Sequence, residues 1–255
     1  MGLLRLFLAF SVFSAHAYKP LGVQLVPAET AVHSFYVISG FYMALVLNER
    51  YLPQKATYFD FLGNRLLRLI PAYVVVAAAT IVAGFLLHAA NSSSIPPVDQ
   101  LRALSLQGAP GELLAFLGLS HATLLLQDSF YYFTWTLANG FAFTRDFHQD
   151  SGTLSRFLLV PQAWSLSLEL YFYCLAPFLV RRRISVLVAV VVAGLAVRLF
   201  LLAGLDLRTD PWSDRFFPSA ISFFLTGVIA YRLHRAQDIS MPIKLVSLGV
   251  LGAVL

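Results

Sequence analysis

The stretch Leu69–Ala90, LIPAYVVVAAATIVAGFLLHAA, decides the fold. It contains no Asp, Glu, Lys or Arg and is longer than the roughly 20 residues that carry an α-helix across the ~30 Å hydrocarbon core of a bilayer. Ile184–Gly204 and Phe216–Leu233 read the same way, and Pro161–Val180 and Ala31–Leu47 nearly so. Leu3–Tyr18 is shorter and is interrupted by Arg5. A final apolar stretch, Leu245–Leu255, is too short to span and ends without a polar cap or flanking basic anchor. With the apolar region Glu112–Thr144, about eight apolar segments are visible. They predict an all-α protein, a polytopic transmembrane helical bundle in one membrane-embedded domain over residues 1–255 whose last segment is truncated.

Composition supports this reading. Of 255 residues, 58% are hydrophobic and 12% charged, and the mean hydropathy is +0.74. A soluble domain carries about twice that charge density, so too little polar surface remains to cover a water-soluble particle. A disordered chain, a nucleic-acid-binding domain and an ordinary soluble enzyme are excluded. The single cysteine, Cys174, excludes an intramolecular disulfide framework and a multi-cysteine metal site.

Basic residues orient the spans. Asn48–Arg68 carries Arg50, Lys55, Arg65 and Arg68, and Arg181–Arg183 is wholly basic; both are expected on the cytoplasmic side, as are Arg232, Arg235 and Lys244. Asn91–Gly111, which opens with the loop signal NSSSIPP, has only Arg102 and is expected outside. These assignments agree only if Glu112–Thr144, broken by His121, Gln127, Asp128 and Asn139, makes two short crossings or a re-entrant hairpin. The N-terminus then lies in the cytoplasm. The opening MGLLRLFLAFSVFSAHA also resembles a signal peptide, but its charge sits within the apolar run rather than before it.

Ionisable residues inside spans are costly, and three groups stand out. Arg5 and His16 are three turns apart on one helix face, with His16 about 16 Å above Arg5. A buried imidazole favours the neutral form that acts as a base, although a lone histidine more often serves as a polar helix contact. Gln162, Ser165, Glu169 and Tyr173 recur at three and four residues as a polar stripe. Glu169 and His16 fall at one depth, about 12 Å below the outer end, where a carboxylate could orient an imidazole; a packing ladder explains the stripe equally well. Arg65 and Arg68, at i and i+3, suit phosphate groups, but such a pair commonly anchors topology or meets lipid headgroups. Tyr36, Ser39 and Gly40 in HSFYVISGFYMA make a small-residue face that permits close helix approach, with His33 at the outer end of that helix.

Five motifs occur in order over Arg5–Tyr231: LRLFLAFSVFSAH, FYVISGFYMALVLNERY, NRLLRLIPAY, WSLSLELYFYCLAPFLV and FFLTGVIAY. In this order the chain resembles the integral-membrane acyltransferase-3 family, which O-acylates cell-surface and secreted glycans. The resemblance maps the family's basic-x10-His pair onto Arg5 and His16 and its Arg-x-x-Arg motif onto Arg65 and Arg68. The Trp-Ser-Leu-x-x-Glu motif maps onto Trp164, Ser165, Leu166 and Glu169. It implies that His16 is essential for acyl transfer and that the Arg pair engages cytoplasmic acyl-CoA, a donor substrate rather than a bound cofactor. Glu169 would orient His16, and Arg5, Trp164, Ser165 and Tyr173 would line the substrate path. The implied partners are membrane lipid, acyl-CoA, and a glycan or other hydroxylated envelope acceptor, in a bacterial inner membrane. Family members carry more membrane helices than are visible here, so the chain reads as a larger domain lacking its C-terminal helices.

A transporter or flippase for a glycan or lipid is the alternative, but no internal repeat is visible. A non-catalytic scaffold would leave the shared depth of His16 and Glu169 an accident. His16, His33, His88, His121, His148 and His234 are scattered without metal-ligand spacing, and no GxSxG elbow, phosphate-binding glycine loop or nucleic-acid motif occurs.

Overall fold

The computed structural model describes residues 2–16, 26–90, 95–106, 108–150, 152–208 and 210–236. The described residues are 72% helix and 4% strand, an all-α fold with one short hairpin among them. The described elements are α1 (Gly2–His16), α2 (Ala28–Val46), α3 (Tyr58–Ala89), α4 (Pro96–Leu106), α5 (Gly111–Thr123), β1 (Phe133–Thr136), β2 (Gly140–Phe143), α6 (Ala163–Leu179), α7 (Ile184–Leu199) and α8 (Phe217–Arg235). A π-helical turn extends α2 to Tyr51, and another extends α7 to Gly204. Among the described residues, three helices are long and apolar enough to cross a membrane: Ala28–Tyr51, Tyr58–Ala89 and Ile184–Gly204. The Ala163–Leu179 and Leu3–Ala15 helices are apolar but shorter. The Leu245–Leu255 segment lies outside the described residues, as do Tyr18, Asn91–Ser94 and Lys244.

Three sequence readings need correction. The basic connection Asn48–Arg68 is not a loop throughout, because α3 begins at Tyr58 and carries Arg65 and Arg68 within it. Positive-inside counting registers charge but not backbone continuity, so it placed the helix start too late. Glu112–Thr144 does not make two helical crossings. α5 has only 13 residues, and the chain then forms a 3-10 turn and the antiparallel pair β1–β2. The pairing is Phe133 with Phe143, Thr134 with Ala142, Trp135 with Phe141 and Thr136 with Gly140. Asn139-Gly140 between aromatic and β-branched residues is the hairpin signal, and Gly140 takes the positive φ (63°) that such a turn demands. Phe216–Leu233, read as a clear span, forms α8, which is not among the three helices apolar enough to cross on length and composition alone.

The chain divides into two compact units. The first comprises Met1–Tyr58, Phe172–Asp206 and Phe216–Leu255. Its centre is the pairing of α2 with α8, where backbones nearly touch. A Cβ on Gly40 would lie 1.8 Å from the Phe224 carbonyl oxygen, and one on Gly227 would lie 2.0 Å from that of Val37. Small residues on both helices permit this approach. Around it, His33 stacks on Phe223 at 4.0 Å, while Tyr36 and Phe172 both stack on Phe224 at 4.5 Å. α7 closes on α8 at Gly194, where a Cβ would meet the Ser222 hydroxyl at 2.2 Å; that hydroxyl donates to the Val191 carbonyl. α1 packs Leu8 against Ala31 and Ile38 of α2.

The second unit comprises Phe59–Tyr171 and Leu207–Arg215. Tyr73, Ala77, Val98, Leu124, Leu159, Ala163 and Leu170 join α3, α4 and α6 in one core. Gly84 admits Val98 against α3. A second core gathers α4, α5 and the hairpin around Phe130, Trp135, Leu154 and Phe157. The window that qualifies as a span is 61% buried in α2 but 17% buried in α3 and in α7, so the latter two present apolar faces such as Val74, Val75 and Val82 or Val186, Val188 and Val192 outward.

Candidate active site

Arg5 projects from α1 toward α2, donating from Nη2 to the Ser39 hydroxyl at 3.2 Å and lying 5.7 Å from the Tyr42 ring centroid. Ser39 belongs to the small-residue face read from the sequence, so that face receives a guanidinium as well as a neighbouring helix. His16 ends α1, and its side chain lies outside the described residues.

Arg65 and Arg68 share α3 but not an environment. Arg65 is buried with its guanidinium 5.6 Å from the Phe61 ring centroid, and its Nε has no hydrogen-bond partner among the described residues. Arg68 is exposed. An i,i+3 pair is offset by about 60° around a helix, enough for one member to turn inward and the other outward.

α6 has two polar faces with different uses. Along the stripe read from the sequence, Gln162 is exposed, Ser165 and Glu169 are half-buried and Tyr173 is buried; the Ser165 hydroxyl donates to the Gln162 carbonyl at 2.9 Å. The other face was not anticipated. Ser167 donates to the Leu124 carbonyl at 2.5 Å and accepts from the Gln127 backbone N–H, while the Tyr171 hydroxyl donates to Asp128 at 2.7 Å and accepts from the Leu126 N–H. These bonds hold a turn in which Leu124 and Leu126 both take positive φ, 63° and 64°, a conformation that non-glycine residues rarely adopt. Gln127, fully buried beneath it, donates to the Tyr73 hydroxyl at 2.7 Å and to the Ser120 carbonyl at 3.3 Å. Burial raises the Asp128 pKa above the usual carboxylate range, and the Tyr171 hydrogen bond offsets part of the rise.

Trp164, the first residue of the WSLSLE motif, packs on Arg215 in the second unit. The Arg215 guanidinium lies 3.8 Å from the Tyr131 ring centroid, 4.3 Å from that of Trp164 and 5.6 Å from that of Phe147. It donates from Nε and Nη2 to the two Asp210 oxygens at 2.6 and 2.5 Å. Burial alone would lower the Arg215 pKa, but the Asp210 pair and the Tyr131 hydroxyl raise it, so the cation is held firmly charged. Burial pushes the Tyr131 and Tyr132 phenols up. Neither Asp210 nor Arg215 stood out in the sequence; DPWSDR reads as a plain loop, and its five-residue Asp–Arg spacing was the available signal.

The structure therefore places Arg5 and Tyr173 in the first unit and Arg65, Arg68, Trp164, Ser165 and Glu169 in the second. Among the described residues, no group of three or more His, Cys, Asp and Glu side chains is arranged to hold a metal ion.

An all-α chain of apolar helices carrying charged residues within them is the class of an integral-membrane protein. Comparison narrows the class: the acyltransferase-3 family, described as an acyltransferase domain, matches residues 1–255, and the chain belongs to it. It is a transferase of acyl groups. Neither a curated protein nor a solved structure matches the chain.

Proposed function

We propose that the protein is an O-acyltransferase moving an acetyl or short acyl group from cytoplasmic acyl-CoA to a hydroxyl of a carbohydrate or other envelope or secreted acceptor. The N-terminus lies in the cytoplasm of a bacterial cell and the membrane is the inner one. Arg65 carries this reading. A guanidinium removed from water with an uncommitted N–H is a costly structural element, and an anion relieves that cost. Arg68, exposed one turn away, meets the same phosphates at the surface. Arg5, which donates to Ser39, holds part of the donor.

His16 performs the chemistry by one of two routes. As general base it takes the acceptor proton while the hydroxyl oxygen attacks the thioester carbonyl; an ester forms, the C–S bond breaks, and the CoA thiolate takes up a proton. As nucleophile its ring nitrogen displaces CoA first, and the acceptor hydroxyl then takes the acyl group from the imidazole. Glu169 orients the ring and stabilises its cationic form, and Trp164, Ser165 and Tyr173 line the path.

Transfer from labelled acyl-CoA by the purified, detergent-solubilised protein tests the proposal. His16→Ala is expected to abolish transfer with membrane insertion unchanged, and retained activity overturns the assigned role. Arg65→Gln is expected to raise KM for acyl-CoA about tenfold with a smaller effect on kcat. Label retained on the protein without acceptor selects the covalent route.

A further inference from the structure

One end of the first unit concentrates positive charge. There α6 ends at Leu179 and α7 begins at Ile184, and the connection, residues 180–183, carries Arg181, Arg182 and Arg183, all exposed. α8 closes at the same end: the Arg232 guanidinium donates to the Val180 carbonyl, one of those that the last turn of α6 leaves without a helical partner. Arg235 donates to the Tyr231 hydroxyl at 3.0 Å, which itself donates to Glu49 at 3.2 Å. These bonds commit Arg232, Arg235 and Glu49 to the protein itself.

The three arginines of the connection are not so committed. Arg181, Arg182 and Arg183 have no ion-pair or side-chain hydrogen-bond partner among the described residues. The start of α7 adds no negative charge, since its first turn holds no acidic residue. Apolar side chains stand exposed within about one turn on either side: Phe178 is 58% exposed, Ile184 44% and Val186 41%. A soluble anion would answer the guanidiniums and leave these side chains in water, and an uncharged acyl chain would do the reverse. A phospholipid with an anionic head answers both.

We infer that the α6–α7 connection binds one anionic phospholipid, its phosphodiester against Arg181, Arg182 and Arg183 and its acyl chains along Phe178, Ile184 and Val186. Arginine suits this part, because its planar fork meets two phosphate oxygens at once while its alkyl stem lies along apolar surface. The bond from Arg232 to Val180 brings α8 to the same place, so an occupied site braces three helix ends together. Arginines that only fix topology need no resident lipid, and the two roles differ in whether purified protein selects one headgroup over another. The inference is independent of the acyl transfer proposed above and is read by binding alone.

The test uses the full chain, stripped of lipid in detergent and titrated with phosphatidylglycerol or with phosphatidylcholine of the same acyl chains, followed by native mass spectrometry. Phosphatidylglycerol is expected to bind at least about tenfold more tightly, because the choline ammonium of the other lipid faces three guanidiniums. Glycerol 3-phosphate, a head without chains, is expected to compete at least about a hundredfold more weakly than the lipid. Replacing Arg181, Arg182 and Arg183 together by Gln should bring the two lipids within about twofold of each other. Replacing Lys55, Arg102 and Arg145 together by Gln removes the same charge from exposed positions elsewhere and should keep the preference. Both variants should melt with wild type in lipid-free detergent, since every replaced side chain is exposed. Equal binding of the two lipids by wild type, or competition by glycerol 3-phosphate at the lipid's own concentration, overturns the inference without recourse to any variant. Preference retained in the first variant, or lost equally in the second, overturns it too.

Discussion

Arg215 shows how much one side chain can organise. Its guanidinium is held by two carboxylate oxygens and lies against the rings of Tyr131 and Trp164, so its charge and its flat shape both matter. Arg215→Lys keeps the charge but loses the fork and the stacking; a loss of about 1–2 kcal/mol is expected. Asp210→Asn should be worse, about 3 kcal/mol, because it leaves a buried cation uncompensated. Thermal unfolding in detergent measures both, and the reverse ranking would show that stacking dominates the pair. Asp128 makes the opposite case. Its folded pKa is raised, so the fold binds that proton more tightly than the unfolded chain and gains stability as pH falls from neutrality through the folded pKa. Ionised Asp128 therefore weakens the fold at neutral pH. Asp128→Asn, which keeps an oxygen for the Tyr171 hydroxyl, should raise the melting temperature at about pH 7 and match wild type at about pH 3, below both pKa values. A uniform drop at every pH would instead assign the side chain a purely structural role.

At the scale of elements, glycine positions sort by what surrounds them. Gly40→Ala would drive a methyl group into the Phe224 carbonyl, and at least about 3 kcal/mol should be lost as α2 and α8 part. Gly63→Ala is the control: nothing lies within 4 Å, the residue is inside α3, and a gain of about 0.5–1 kcal/mol is expected. Unfolding midpoints of the two variants should move in opposite directions. The long helices were legible because an unbroken apolar run of about 20 residues has few other solutions. The face of α2 that meets α8 was legible as small residues, but its partner was not, since small residues state how near a helix can come and not which one. β1 and β2 were missed because polar interruptions in an apolar stretch were attributed to membrane re-entry, whereas FTWTLANGFAF carries a hairpin's alternation and turn. The Ser167–Tyr171 face of α6 was masked by the stripe beside it, Gln162, Ser165, Glu169 and Tyr173, which accounts for most of the polar residues of that helix.

For the whole molecule, scarcity of charge makes each cation a topological statement. With Cys174 replaced by Ser, a single cysteine at position 102 should react with a membrane-impermeant maleimide added outside intact cells, and one at position 182 should not. Reversed labelling would invert the proposed orientation and place Arg65 and Arg68 on the side that lacks acyl-CoA.

The glycine contact between α2 and α8 also has a history in time. α2 leaves the ribosome early and α8 late, with the second unit made between them. At elongation rates of about 5–20 residues per second, the notch at Gly40 waits on the order of ten seconds for Gly227 to arrive. Throughout that interval α2 is a helix whose intended neighbour does not yet exist, shielded by α1, by lipid or by an insertion chaperone. A ribosome stalled before Phe217 should strand the nascent chain in a form that membrane quality-control proteases clear quickly, while one stalled after Arg235 should yield a long-lived product.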